Sequence, residues 1–261
     1  MEEFNLYIIE EPELESPTLV EGLPGIGNVG KIATMHLIEE LKAKKFATLY
    51  SPMFPPQVVV RDSGIIEAMK NEFFYWKAKT DSQRDLIFVI GNTQSATSKG
   101  QYALTERILD IATGYGTKFI YTLGGLGVGR LIESPKVFGA VTDKKYMGEL
   151  EKLGVVLRRV GVGQIIGVSG LLLGLGKIRG IDGVCLMGET SGYYLDPNSA
   201  KAVLGVLTKL LHIEVNMDRL DRRAIDTERM VAEAQAMERK MLQEMGVVQK
   251  EPSEDEMRYI G

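Results

Sequence analysis

The residues best placed to do chemistry are three glycines near the N-terminus. Gly25, Gly27 and Gly30 lie in Leu19-Val-Glu-Gly-Leu-Pro-Gly-Ile-Gly-Asn-Val-Gly-Lys31 and match the spacing G-x-G-x-x-G. In a dinucleotide site the first such glycine makes a tight turn. The second lets the backbone approach a pyrophosphate, and the third lets helix and strand pack closely. The helix that follows aims free N–H groups at the anion. Two features depart from that fingerprint. Leu23-Pro24 separates the apolar run Thr18–Val20 from the glycines, and no acidic residue follows the next apolar run, Phe46–Tyr50, to hold a ribose. The glycines therefore read as a chain turn that lets a helix sit close, with a nucleotide site as the alternative. Gly30-Lys31 is followed by Ile32, not by Ser or Thr, so the pattern does not make a Walker lysine.

Other reactive residues are few. Ile166-Gly-Val-Ser-Gly170 places Ser169 one residue short of the five-residue nucleophile elbow. A serine hydrolase also needs a histidine base. The chain has two histidines, His36 and His212, and neither has metal-ligand spacing to a second His or Cys. His36 falls beside an apolar stripe and reads as packed or half-exposed. Cys185 is the sole cysteine, within Gly183-Val-Cys-Leu-Met187, and reads as a buried structural thiol with no internal disulfide partner. The expectation is a protein with no catalytic residue, metal ligand or cofactor site. A small-molecule crevice is the alternative. Glu189, Thr190 and Ser191, the segment Asn92–Thr97 and the segment Gly124–Arg130 all follow apolar runs, where α/β folds put their sites, with Arg130 and Lys99 as anion contacts.

The elements that must position these residues alternate in type. Asn5–Glu10, Thr18–Val20, Phe46–Tyr50, Asp85–Gly91, Lys118–Leu123, Val137–Thr142, Val155–Val160 and Gly183–Met187 read as strands, several of them continuous apolar runs. Helices are expected from Lys31 to Lys42, about Gly100 to Thr113, Lys144 to Leu153, Gly167 to Lys177 and Pro197 to Leu211. Gln57–Arg61, Gly64–Ala68 and Glu72–Lys77 read as the short strands of a hairpin-rich insertion, entered through the proline-rich loop Pro52–Pro56. Gly124–Gly129 and Gly188–Leu195 read as loops. The alternation predicts an α/β fold, a mainly parallel sheet covered on both faces in three layers.

Composition narrows the class. A chain of 261 residues with 44% hydrophobic and 25% charged residues suits a soluble globular protein. A net charge of −4 and a pI of about 5.5 argue against a nucleic-acid footprint. No apolar run approaches the roughly 18 residues of a membrane span. The acidic start, Met1-Glu-Glu-Phe, lacks a signal-peptide pattern, and the single cysteine suits the cytoplasm. After His212 the composition changes. Met217–Met245 is rich in Arg, Glu, Ala and Met, and Met230, Ala234, Met237, Met241 and Met245 step by helical intervals. This reads as a long helix with a narrow apolar seam, suited to a partner helix or to a second copy, or else packed on its own domain. The expected organisation is an α/β domain over 1–212, a helical appendage over 213–246 and a flexible tail over 247–261.

Glu21-Gly-Leu-Pro-Gly-Ile-Gly-Asn-Val-Gly30, with Phe54-Pro-Pro56, Gly124-Gly-Leu126 and Gly188-Glu-Thr190, resembles the archaeal branch of the proteasome assembly chaperone type-2 family. The resemblance runs from about Leu6 to Leu211. It implies a three-layer α/β/α domain similar to nucleoside phosphorylases but without known catalysis. It also implies homo-oligomers that bind the α-subunits of the 20S proteasome as assembly chaperones or ATP-independent activators. Relatives dock through a C-terminal hydrophobic–tyrosine–any-residue tip, which puts the partner-binding tip here at Met257, Arg258, Tyr259, Ile260 and Gly261. Tyr259 is third from the end, not second, and Arg258 precedes it in place of an apolar residue. The tip either inserts in a shifted register or serves another partner. A phosphorylase-like enzyme or sensor, or a scaffold for an unrelated partner, is the competing reading.

Overall fold

The computed structural model describes residues 3–157 and 163–244. In chain order the strands are β1 Asn5–Ile8, β2 Thr18–Gly22, β3 Lys44–Tyr50, β4 Val58–Val60, β5 Ile66–Ala68, β6 Asn71–Trp76, β7 Leu86–Gly91, β8 Phe119–Gly127, β9 Val137–Val141, β10 Val156–Leu157 and β11 Asp182–Thr190. The helices are α1 Val29–Leu41, α2 Ser98–Gly114, α3 Met147–Lys152, α4 Val168–Ile178, α5 Pro197–Leu210 and α6 Asp218–Glu244. Among the described residues, nine strands form one sheet in the order β1-β3-β6-β7-β2-β8-β11-β9-β10, and β4 and β5 form a separate hairpin.

The four central strands β7, β2, β8 and β11 are parallel, and the flanking strands bring antiparallel pairs. Burial on both faces explains why the central strands read as unbroken apolar runs. Successive residues go to opposite cores. Val20, Phe88 and Leu186 join Leu37 of α1 and Leu204 of α5 on one face. Leu19, Ile87, Val89 and Cys185 join Ile108 of α2 and Leu172 of α4 on the other. The result is the three-layer α/β/α arrangement with a mixed sheet. Local signals place the helix starts. The Thr97 side chain accepts from Gly100 N at 3.1 Å, and Asp196 accepts from Ser199 N at 2.8 Å with Pro197 opening α5.

The structure differs from the sequence reading in the flanks and strand ends. The segment near Glu72–Lys77 is not part of an insertion. It is β6, between β3 and β7 in the main sheet, because Phe73 serves one core while Phe74 and Trp76 serve the other. Gly124–Gly127 and Gly188–Thr190 are not loops but the last residues of β8 and β11, paired in register to Gly127 and Thr190. Their ladder hydrogen bonds hold the extended form that glycine alone does not favour. The Val155–Val160 strand is described only as Val156–Leu157, and residues 158–162 fall outside the described set.

The chain divides into two compact units at Asp221 and Arg222. The start of α6 belongs to the first. There Leu220 is fully buried in the core and Arg219 pairs with Glu39 at 3.0 Å. His36 is fully buried on α1, and its Nε2 lies 2.7 Å from Asn216 O. It is a packed residue that ties α1 to the segment before α6.

Candidate functional site

The glycine turn is the first place to look for a site, and its glycines have a packing reason. A Cβ on Gly30 would stand 2.0 Å from Leu123 O, and one on Gly125 would stand 2.3 Å from Ile26 O. The turn is therefore pressed backbone to backbone against β8. A short 3-10 turn, Ile26–Asn28, carries Gly27 at φ +61 and Asn28 at φ +50 before α1 begins. Gly27 O accepts from Asp196 N at 2.9 Å, which fastens the turn to the loop after β11. These contacts occupy the glycines with the protein's own backbone, as the chain-turn reading requires.

Beneath the turn lies a buried acid. Glu21, near the end of β2, is fully buried; its Oε1 accepts from Leu23 N at 2.8 Å and its Oε2 from the Ser169 hydroxyl at 2.8 Å. Burial pushes the Glu21 carboxyl up to about 7, and its two hydrogen bonds offset part of that rise. In register, Glu21 faces Thr122 of β8, which faces Cys185 of β11, so a short polar row crosses three parallel strands under α4. Burial pushes the Cys185 thiol up to about 12, so it stays protonated and is no nucleophile near neutral pH. Ser169, which the sequence marked only as an incomplete elbow, is the hydroxyl that satisfies Glu21. Glu21 itself was visible as the one carboxylate in Thr18-Leu-Val-Glu-Gly22. Its partner, 148 positions away, was not.

Gln94, in the loop after β7, completes this cluster. Its Nε2 donates to Pro24 O at 2.8 Å, and its Oε1 accepts from Val168 N at 3.0 Å. The first N–H of α4, a natural anion contact, is thus taken by the protein. Two of the three strand-end segments, Gly124–Arg130 and Glu189–Ser191, approach one another, while Asn92–Thr97 is held against Pro24, Met53 and Val168. Arg130 lies 3.8 Å from Glu189, Val128 N donates to Thr190 O at 2.9 Å, and the Ser199 hydroxyl donates to Glu189 O. Lys99 does not join them. It pairs with Glu3 at 3.4 Å and is largely exposed, so the expected Arg130–Lys99 anion pair is not formed. Arg130 spends its charge on Glu189.

The outer surface of the same end carries exposed apolar side chains beside the exposed Arg130. Ile26, Leu131, Tyr193 and Leu195 are exposed, Tyr193 by 75%. The Ile26 side chain lies 3.4 Å from where Cβ atoms of Gly127 and Gly192 would sit. Glycine floors with aromatic and branched side chains above them suit docking of another macromolecule better than chemistry on a small one.

The second unit is described as helix to Glu244. Met230, Met237 and Met241 are more than half exposed there. The side chain of Ala234, residue Met245 and the tip Met257, Arg258, Tyr259, Ile260 and Gly261 lie outside the described residues. Among the described residues, no group of acids, histidines or cysteines is arranged to hold a metal ion. No described helix is long and apolar enough to cross a membrane.

A family model described as "PAC2 family" matches residues 19–235. The Methanocaldococcus jannaschii protein MJ1210 is 46% identical over 248 residues, which is 95% of this chain and 93% of that one. The crystal structure of Pyrococcus furiosus PbaB, described as an archaeal proteasome activator, aligns with TM-score 0.86 and 43% identity over 90% of this chain and 100% of that one. Pyrococcus furiosus PbaA, described as an archaeal homolog of proteasome-assembly chaperone, aligns with TM-score 0.74 and 26% identity over 94% of this chain and 97% of that one.

Proposed function

The chain belongs to the PAC2 family, and on that premise we propose that it is a cytoplasmic, non-enzymatic proteasome assembly chaperone or ATP-independent activator. It works as a homo-oligomer that grips the α-ring of the 20S proteasome. The observation that carries this reading is the likeness to PbaB, over nine-tenths of this chain and all of that one. The chemistry of the body agrees with it. Glu21, Ser169 and Gln94 are held by hydrogen bonds within the protein, and Ile26, Leu131, Tyr193 and Leu195 are exposed at the same end.

In this reading each copy supplies one tail. The α/β body clusters the copies, the helix with Met230, Ala234, Met237, Met241 and Met245 supplies spacing or contacts between copies, and Met257–Gly261 supplies the tip. Tips that bind weakly one at a time hold strongly together, because after the first contact the others act at high effective concentration. The test compares capture of archaeal 20S proteasome by the full chain and by a chain ending at Val248. The full chain captures the particle and the shortened chain does not. Equal capture by both, or by neither, refutes the tail mechanism.

A further inference from the structure

The two ends of α4 are held in different ways. At the C-terminal end Lys177 pairs with Asp182 at 2.8 Å and Arg179 with Asp110 at 2.8 Å. At the N-terminal end there is no ion pair among the described residues. That end hangs on the hydrogen bonds from Ser169 to Glu21 and from Val168 to Gln94, and Gln94 is itself fastened to Pro24. The helix adds little of its own. Gly167 before it gives no side-chain cap, and Gly170, Gly174 and Gly176 fall within its 11 residues, which lowers its intrinsic stability. The segment that leads into it, 163–167, is neither helix nor strand, and Ile166 there is 86% exposed.

The acid beneath that end is fully buried and has no counter-ion among the described residues. From β8 the neutral Thr122 faces it, and from β11 comes the Cys185 thiol, which burial keeps protonated. Gln94 and Ser169 are uncharged. The ions of α2 are engaged elsewhere. Glu106 and Asp110 pair with Arg179, Lys99 pairs with Glu3, and Arg107 lies in a groove with Phe46 and Tyr115. A charge on Glu21 therefore has two hydrogen bonds and no cation to meet it, and water is what would relieve it. The strands around it are locked into the central sheet, so the side that can move is the weakly held helix end. We infer that α4 carries a proton-operated latch: its first turn stays closed over Glu21 while that carboxyl is protonated, and loss of the proton lets residues 163–171 open.

The sign follows from burial. The closed carboxyl ionises at about 7, against 4.5 in water. Opening lets the acid ionise in water, so it becomes easier as pH rises from 4.5 to 7 and no easier above that. The opening equilibrium constant is therefore about 70-fold larger at pH 8 than at pH 5. Val168, fully buried when the latch is closed, then meets solvent. Whole-chain unfolding also bares Glu21, so the latch is distinguished by where the chain opens and not by pH alone.

The test is amide hydrogen exchange of the full chain at pH 5 and pH 8, corrected for the chemical exchange rate. Residues 168–171 are expected to open more readily than residues 120–123 of β8 at both pH values, and about 70-fold more readily at pH 8 than at pH 5. Glu21→Gln, which keeps the shape and cannot ionise, is expected to open equally at both. Exchange at 168–171 that is no faster than in β8, or that is flat in pH, overturns the latch. A pH dependence that survives Glu21→Gln overturns it equally. If that variant fails to fold, the Glu21 carboxyl carbon followed by NMR in wild type takes its place. The rise in opening must level off where that carbon reports ionisation, and levelling elsewhere overturns the inference.

Discussion

Glu21 makes the pH dependence of stability a direct probe of the buried strand-end cluster. The carboxyl ionises at about 7 in the folded chain, against 4.5 when free, and burial is the main cause. A group whose folded value is raised contributes fully below the unfolded value, and its contribution is lost as pH rises through the folded value. Between pH 4.5 and pH 7, therefore, the unfolded chain sheds this proton while the folded chain keeps it. A gap of about 2.5 units at about 1.4 kcal/mol per unit makes the loss about 3 kcal/mol by pH 8. Glu21→Gln has nearly the same shape, still accepts from Leu23 N, and places an amide donor against the rotatable Ser169 hydroxyl. It removes the titration while keeping the packing. Denaturant unfolding of wild type and Glu21→Gln at pH 5 and pH 8 isolates the term. The variant is expected to gain about 2.5 kcal/mol on wild type between the two pH values, equivalent in a thermal melt to a midpoint shift of roughly 5–10 °C for a chain of this size. Parallel pH dependences for the two proteins would refute the reasoning, because they would mean that Glu21 is hydrated or stays ionised in the folded state.

Two further outcomes follow from the same contacts. Gly30→Ala puts a Cβ 2.0 Å from the carbonyl oxygen of Leu123, with backbone on both sides. The expected cost is about 3 kcal/mol or more, read as a fall in the thermal midpoint; an unchanged midpoint would show that α1 does not rest on β8. Asp182 accepts from Lys145 at 2.6 Å, Lys177 at 2.8 Å and Tyr146 at 2.9 Å. These bonds, led by Lys145, hold its carboxyl well below the usual range, so its contribution is present above about pH 4 and fades as pH falls further. Asp182→Asn is expected to cost about 1 kcal/mol at neutral pH, limited by solvent screening of the half-exposed lysines, and to flatten acid denaturation.

Much of the architecture was legible in order. The apolar runs of β7, β8 and β11 read as strands buried on both faces, and so they are. The flanks were less legible. β6 alternates in burial as a half-exposed hairpin strand does, and only its neighbours β3 and β7 place it in the main sheet. The glycine-rich ends of β8 and β11 read as turns because propensity registers glycine's freedom and not the ladder that removes it.

The sequence by itself determined the fold class, the change of character after His212 and the family, because each of these depends on patterns along the chain. It also carried both halves of the buried cluster, Glu21 and Ser169, without joining them. Only the tertiary structure decided that this serine answers that acid, that Gln94 closes the first N–H of α4, and that Val58 and Val60 of the β4–β5 hairpin face water while Val59 packs inward. Those facts depend on which segments far apart in the chain become neighbours. Periodicity reports burial one element at a time, and it carries no record of what each buried or exposed face finally meets.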